Sequence, residues 1–61
     1  MEVSKAIKIA EGLKQAKNHD EWVDAWQYLI NTGIAWELQG WFGRRAMELI
    51  EEKICHEASQ R

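Results

Sequence analysis

Proline is absent from this 61-residue chain, cysteine occurs once, and no long apolar run interrupts its polar residues. Each gap excludes something. A single cysteine, Cys55, rules out an internal disulfide and fits a reducing cytosol better than a secreted scaffold. Cys55, His56 and a distant His19 are too few ligands for a structural zinc site. A membrane span needs roughly 18 consecutive apolar residues, and none is found. The start, Met1-Glu-Val-Ser-Lys5, has no basic segment leading into an apolar signal core. Neither charge sign dominates: 8 basic against 10 acidic residues leave a net charge of −2. That balance supplies no cationic field for nucleic acid or anionic lipid, and its acidic excess is too small to imitate DNA. The expectation is a cytosolic chain with no membrane partner, no metal and no cofactor.

What is present points to a small globular domain. Hydrophobic residues make up 46% and charged residues 30%, a balance that folds rather than stays disordered. A chain of this size buries only about 60% of the surface exposed when unfolded, and its core rarely supplies more than roughly 3 to 5 kcal/mol. With a disulfide and zinc excluded, oligomerisation is the remaining supplement. Four tryptophans, at 22, 26, 36 and 41, carry much of the apolar surface. Each indole buries on the order of 200 Å² and brings an N–H that needs a partner. They imply either an organised core or an aromatic binding surface.

Hydrophobic spacing predicts three helices. Val3, Ala6, Ile7, Ala10 and Leu13 recur at intervals of three and four, so a first amphipathic helix is expected over about 2–17. Gly12 falls inside it, at a cost of about 1 kcal/mol relative to alanine, and suggests close approach of a neighbouring helix. Asn18 and Glu21 have the spacing of an N-cap and its reciprocal partner, with Asp20 adding negative charge to the first turn. A second helix should run from there to about Asn31, with Trp22, Trp26 and Leu29 as its stripe, and stop at Thr32-Gly33. The third is expected to start near Ile34 to Trp36 and continue to about Ile54. Ala35, Leu38, Phe42, Ala46 and Leu49 form its inner face, which Trp41 extends. Trp36, Gly40, Met47 and Ile54, with Gly43 and Ile50 nearby, lie on a different side. Such a helix is apolar over most of its circumference, and two short helices can hardly cover it.

The chemistry-bearing candidates are few. Gly40-Trp-Phe-Gly43 places two small residues three apart on a helix, which suits close helix approach or the seating of an indole. A nucleic-acid clamp of the GxxG kind requires a basic loop in a mixed α/β domain. Arg44 and Arg45 form the only adjacent basic pair, with Glu37, Glu48 and Glu52 at helical spacing for salt bridges. Arg45 lies near the apolar face and is the best polar candidate for recognising a partner. Trp36, apart from the inner stripe, is the expected interface anchor, because tryptophan and arginine are enriched in binding hot spots. His19, Asp20 and Glu21 read as the start of a helix, where successive side chains diverge. Cys55 and His56 are adjacent in sequence, which is not the geometry of a nucleophile and its base, and a frayed end with a buried or half-buried thiol is the plainer account. An enzyme is not expected.

The run Leu29-Ile-Asn-Thr-Gly-Ile-Ala-Trp-Glu-Leu-Gln-Gly-Trp-Phe-Gly-Arg-Arg-Ala46, with Leu49-Ile-Glu51 and Cys55, resembles a group of small tailed-bacteriophage proteins. Their shared pattern is LI-x-TG-x-AW-x-LQG-x-FGR-x-A before LIE and often a cysteine. The likeness covers residues 26–55 and implies phage origin, expression in a host bacterial cytoplasm, and no assigned chemistry. Where similar proteins commonly carry glycine, this chain has Lys53, which is expected to let the last helix continue.

These readings combine into an all-α, three-helix small bundle of one domain, with a long C-terminal helix, completed by dimerisation or by a bacterial host protein. The expected function is stoichiometric protein binding, as an inhibitor or modulator of a host defence or regulatory factor. Its partner surface comprises Trp36, Gly40, Gly43, Arg44, Arg45 and Met47, with no small-molecule substrate. A nucleic-acid-associated regulator using Arg44, Arg45 and the lysines of the first helix, or a virion or assembly component, are the alternatives.

Overall fold

The computed structural model describes residues 1–58. It is all-α: α1 (Val3–Glu11), α2 (His19–Thr32), a single 3-10 turn (Ile34–Trp36) and α3 (Gly40–Glu51). Helix α2 is central. Helix α1 packs along it on one side, and the 3-10 turn packs against both α2 and α3, linking them.

Helix α1 is shorter than its apolar pattern predicts. Gly12 is not an interior glycine: at φ +85° it takes the left-handed conformation that terminates the helix. Its N–H donates to the Ile9 carbonyl at 3.1 Å and the Leu13 N–H to the Lys8 carbonyl at 2.9 Å, the paired bonds of a Schellman end. No heavy atom lies within 4 Å of where a Gly12 Cβ would sit, so the expected close approach of a neighbouring helix is also absent among the described residues. The buried residues of α1 are Ala6 and Ile9. Val3 and Leu13, expected on its inner stripe, are exposed.

The start of α2 follows the expected cap. Asn18 Oδ1 accepts from the Glu21 N–H at 2.8 Å. The Glu21 carboxylate reaches one residue further back than in a capping box, accepting from the Lys17 N–H at 2.7 Å and pairing with Lys5 Nζ at 3.3 Å. One side chain thereby ties the α1–α2 connection to both helices. Gly33, at φ +82°, ends α2.

The long C-terminal helix expected from sequence is two pieces. After the 3-10 turn the chain leaves helical geometry before Gly40, and α3 has 12 residues against 14 in α2. Helix α3 also stops at Glu51 instead of continuing past Lys53. Lys53 adopts φ +63°, with its N–H on the Ile50 carbonyl at 3.0 Å and the Ile54 N–H on the Leu49 carbonyl at 2.9 Å. The same Schellman end that glycine provides after α1 is here made by lysine.

The core joins Ala6 and Ile9 of α1, Ala25, Trp26, Leu29 and Ile30 of α2, Ala35 of the turn, Phe42, Ala46 and Leu49 of α3, and Cys55. Of the inner faces read from sequence, Trp26 and Leu29 of α2 and Ala35, Phe42, Ala46 and Leu49 of the last third are buried, while Trp22 and Leu38 are half-buried against them. Burying each large aliphatic side chain contributes about 1.5 to 3 kcal/mol. The segment after α3 is held down, not frayed, through His56. Cys55 is buried with its Sγ 3.9 Å from the Val23 carbonyl. The Gln27 amide accepts from the His56 N–H at 2.8 Å and donates to the His56 carbonyl at 2.9 Å, as a neighbouring strand would.

Candidate functional site

Three of the four indoles form a row. Trp22 and Trp26, one helical turn apart on α2, meet edge to face with centroids 6.4 Å apart. Trp26 then meets Trp41 at 6.4 Å and Phe42 at 6.0 Å across the α2–α3 contact. Only Trp26 is fully buried. Its Nε1 has no hydrogen-bond partner among the described residues, a desolvation cost of about 1 to 3 kcal/mol that the aromatic packing must offset. Trp41 was expected in the core. It is instead 38% exposed at the rim, because its position on α3 lies a quarter turn from the buried line of Phe42, Ala46 and Leu49.

Arg45 lies at the end of this row. Its guanidinium carbon is 5.9 Å from the centroid of the Trp22 ring, and its Nη1 donates to Glu48 Oε1 at 3.0 Å. His19 stacks on Trp22 with centroids 5.7 Å apart. Arg45 is thus exposed and engaged within its own chain, with Glu48 as the salt-bridge partner that helical spacing offered. Arg44 projects on the other side of α3, with a terminal nitrogen 3.4 Å from the point where a Gly40 Cβ would be.

The second side of α3 carries Trp36, Gly43 and Met47. A Cβ on Gly43 would lie 3.4 Å from Cε3 of Trp36, so the missing side chain gives the indole a seat. Gly43 therefore receives an indole from its own chain, while at Gly40 the Cβ position meets the Arg44 side chain and, among the described residues, no other helix. Trp36 still leaves 47% of its surface exposed, and Met47, one turn beyond Gly43, leaves 49%. Ile54 is exposed too, and Ile50 half-buried beside it. The structure thus brings Trp36, Gly43 and Met47 together on one flank, sets Arg44 and Gly40 along the outer line of α3, and separates Arg45 onto the opposite flank with Trp22 and Trp41.

A second apolar surface lies outside the partner-binding residues read from sequence and draws on the stripe of α1 that was expected to face inward. Met1, Val3, Ile7 and Leu13 line an open groove against Tyr28 of α2, with Leu13 76% exposed. The signal was Gly12: read as the end of α1, it releases Leu13 from the inner stripe.

Burial pushes the Cys55 thiol above its ordinary value, which keeps it protonated at neutral pH and works against nucleophilic use. The backbone N–H of Lys17, aided by the Lys5 ammonium, lowers the Glu21 carboxyl below its ordinary range. Among the described residues, no three His, Cys, Asp or Glu side chains converge as metal ligands, and no helix is long and apolar enough to cross a membrane.

Fold and surface together define a small all-α domain with a tryptophan-centred core and two exposed apolar flanks. The chain belongs to the family described as domain of unknown function DUF7417, which it matches over residues 6–60. No curated protein and no solved structure matches it.

Proposed function

We propose that this protein acts by stoichiometric binding of another protein through the outer flank of α3, with Trp36 as anchor and Met47 beside it. The observation that carries the reading is the half-exposed Trp36, seated on Gly43 one helical turn from exposed Met47. A large indole fixed in place but left open loses little side-chain freedom on binding, and that favours affinity. Arg44 adds a charge to the rim of the same surface. The phage-like sequence pattern extends the proposal to origin and target: a tailed-bacteriophage product in the host bacterial cytoplasm, acting as an inhibitor or modulator of a host defence or regulatory protein. Catalysis has no part in this reading.

The test is capture from host lysate with the wild-type chain and with Trp36→Ala and Met47→Glu. A host protein retained by the wild type and lost with both variants, at unchanged helicity, is the expected result. Equal retention by all three sinks the assignment of the α3 flank. Salt-dependent retention of DNA or RNA, or recovery of the protein in purified virions, would instead favour a nucleic-acid regulator or an assembly component.

A further inference from the structure

The outer line of α3 is charged against its own helix dipole. Along it Arg44 stands in the middle of the helix and Glu51 in the last turn, and α3 as a whole has no acidic residue in its first turn and no basic residue in its last. Gln39 at the N-cap supplies no side-chain hydrogen bond to the first turn. Carboxylates therefore sit near the negative pole of α3 with no cation in the same turn, the reverse of the stabilising arrangement. Arg45 and Glu48 pair with each other. Arg44 and Glu51 have no ion-pair partner among the described residues.

Gly40, Arg44, Met47 and Glu51 follow one another at intervals of four, three and four. This is the spacing of a helix-pairing seam, and all four residues are exposed. Resting on the reading that this flank binds protein, we propose that its occupant is a second copy of the chain, packed α3 against α3 in antiparallel orientation. A two-fold axis passing between Met47 and Glu48 sets each Arg44 opposite Glu51 of the second copy, and each Met47 close to its counterpart. Each Glu51 at an acidic helix end then meets an arginine of the other copy, so a charge placed unfavourably within one chain is complemented between two. The symmetry is isologous and closes at the dimer. The seam is short, so association is weak and dependent on protein and salt concentration.

Sedimentation of the full chain across a range of concentrations tests this with Arg44→Glu, Glu51→Arg and the double exchange. The wild type should dimerise. Each single reversal places like charges together twice and should weaken association about tenfold or more. The double exchange should recover most of that loss. A wild type that stays monomeric at every concentration overturns the inference, as does a double exchange no better than the singles. Should a reversed variant lose helicity, Arg44→Gln and Glu51→Gln replace it, and both must then reduce the salt sensitivity of the dimer. Failure here is separable from failure of the binding reading: a monomer that still captures a host protein through Trp36 overturns the dimer alone.

Discussion

Replacement of Lys53 by glycine is expected to stabilise the protein, although it deletes a side chain and adds no contact. Lys53 sits at φ +63° in the turn that ends α3, the conformation that Gly12 and Gly33 adopt after α1 and α2. A residue with a Cβ in the left-handed region is strained by roughly 1 to 2 kcal/mol. Against its relief stand the greater freedom of glycine in the unfolded chain, roughly 0.5 to 1 kcal/mol, and loss of a cation beyond the helix C-terminus, about 0.3 kcal/mol at an exposed position. The net gain is about 0.5 kcal/mol, or about 3 °C in Tm for a domain of this size. Gly12→Ala is the mirror experiment. Nothing crowds its Cβ position, so strain alone should destabilise the protein by about 1 kcal/mol. Urea unfolding followed by circular dichroism reads both as midpoint shifts at unchanged slope. Lys53→Ala separates charge from conformation: it removes the ammonium, keeps the Cβ and should bring no gain. If Lys53→Gly lowers the midpoint, or if it and Gly12→Ala shift it in the same direction, the strain argument fails.

Three further outcomes follow from other contacts. Gln27→Ala removes both hydrogen bonds to the His56 backbone, should cost about 1 kcal/mol of local stability, and should speed labelling of Cys55 by a disulfide reagent about fivefold; unchanged labelling would mean that the amide does not hold the segment. Gly43→Ala should fit beneath Trp36 and stabilise α3 by up to about 1 kcal/mol through helix propensity, whereas Gly43→Ile should displace the indole, visible as a shift in Trp36 emission. The folded-state carboxyl of Glu21 titrates below its ordinary 4.5, so its stabilising contribution is present at neutral pH and is lost as pH falls through the lowered value. Glu21→Gln should accordingly narrow the stability difference from wild type below about pH 4, and a difference that stays constant into acid would refute this.

The inner faces of α2 and α3 were legible in sequence because Trp26, Leu29, Phe42, Ala46 and Leu49 recur at helical spacing, and burial follows that period. The Asn18 cap was legible for the same local reason. Helix ends were less so. Gly12 and Lys53 each end a helix, but apolar spacing carried on to Leu13 in spite of the glycine's cost, and lysine is a good helix former, so pattern at one site and propensity at the other favoured continuation. Tertiary packing decided otherwise: ending α3 at Glu51 lets Cys55 turn back and bury beside Val23, a contact 32 residues distant in sequence. The candidate flank was partly legible. Trp36, Gly43 and Met47 were grouped by periodicity on one long helix, and they share a surface although Trp36 belongs to a separate 3-10 turn. Trp41 was misplaced in depth because a residue at the margin of an amphipathic stripe depends on the angle of the neighbouring helix, which spacing does not encode.

Trp36 has a spectroscopic consequence. Trp22, Trp26 and Trp41 stand in a row with centroids no more than 6.4 Å apart, close enough to share excitation and emit as a coupled set. Among the described residues Trp36 pairs with no other aromatic ring in this way, and its half-open indole faces water. Its emission should be red-shifted from that of buried Trp26 and readily quenched by iodide, while the row remains shielded in part. A molecule seated on the α3 flank would blue-shift and protect one of four tryptophans without disturbing the other three. The native chain thus contains its own label for occupancy of that flank, free of any added dye.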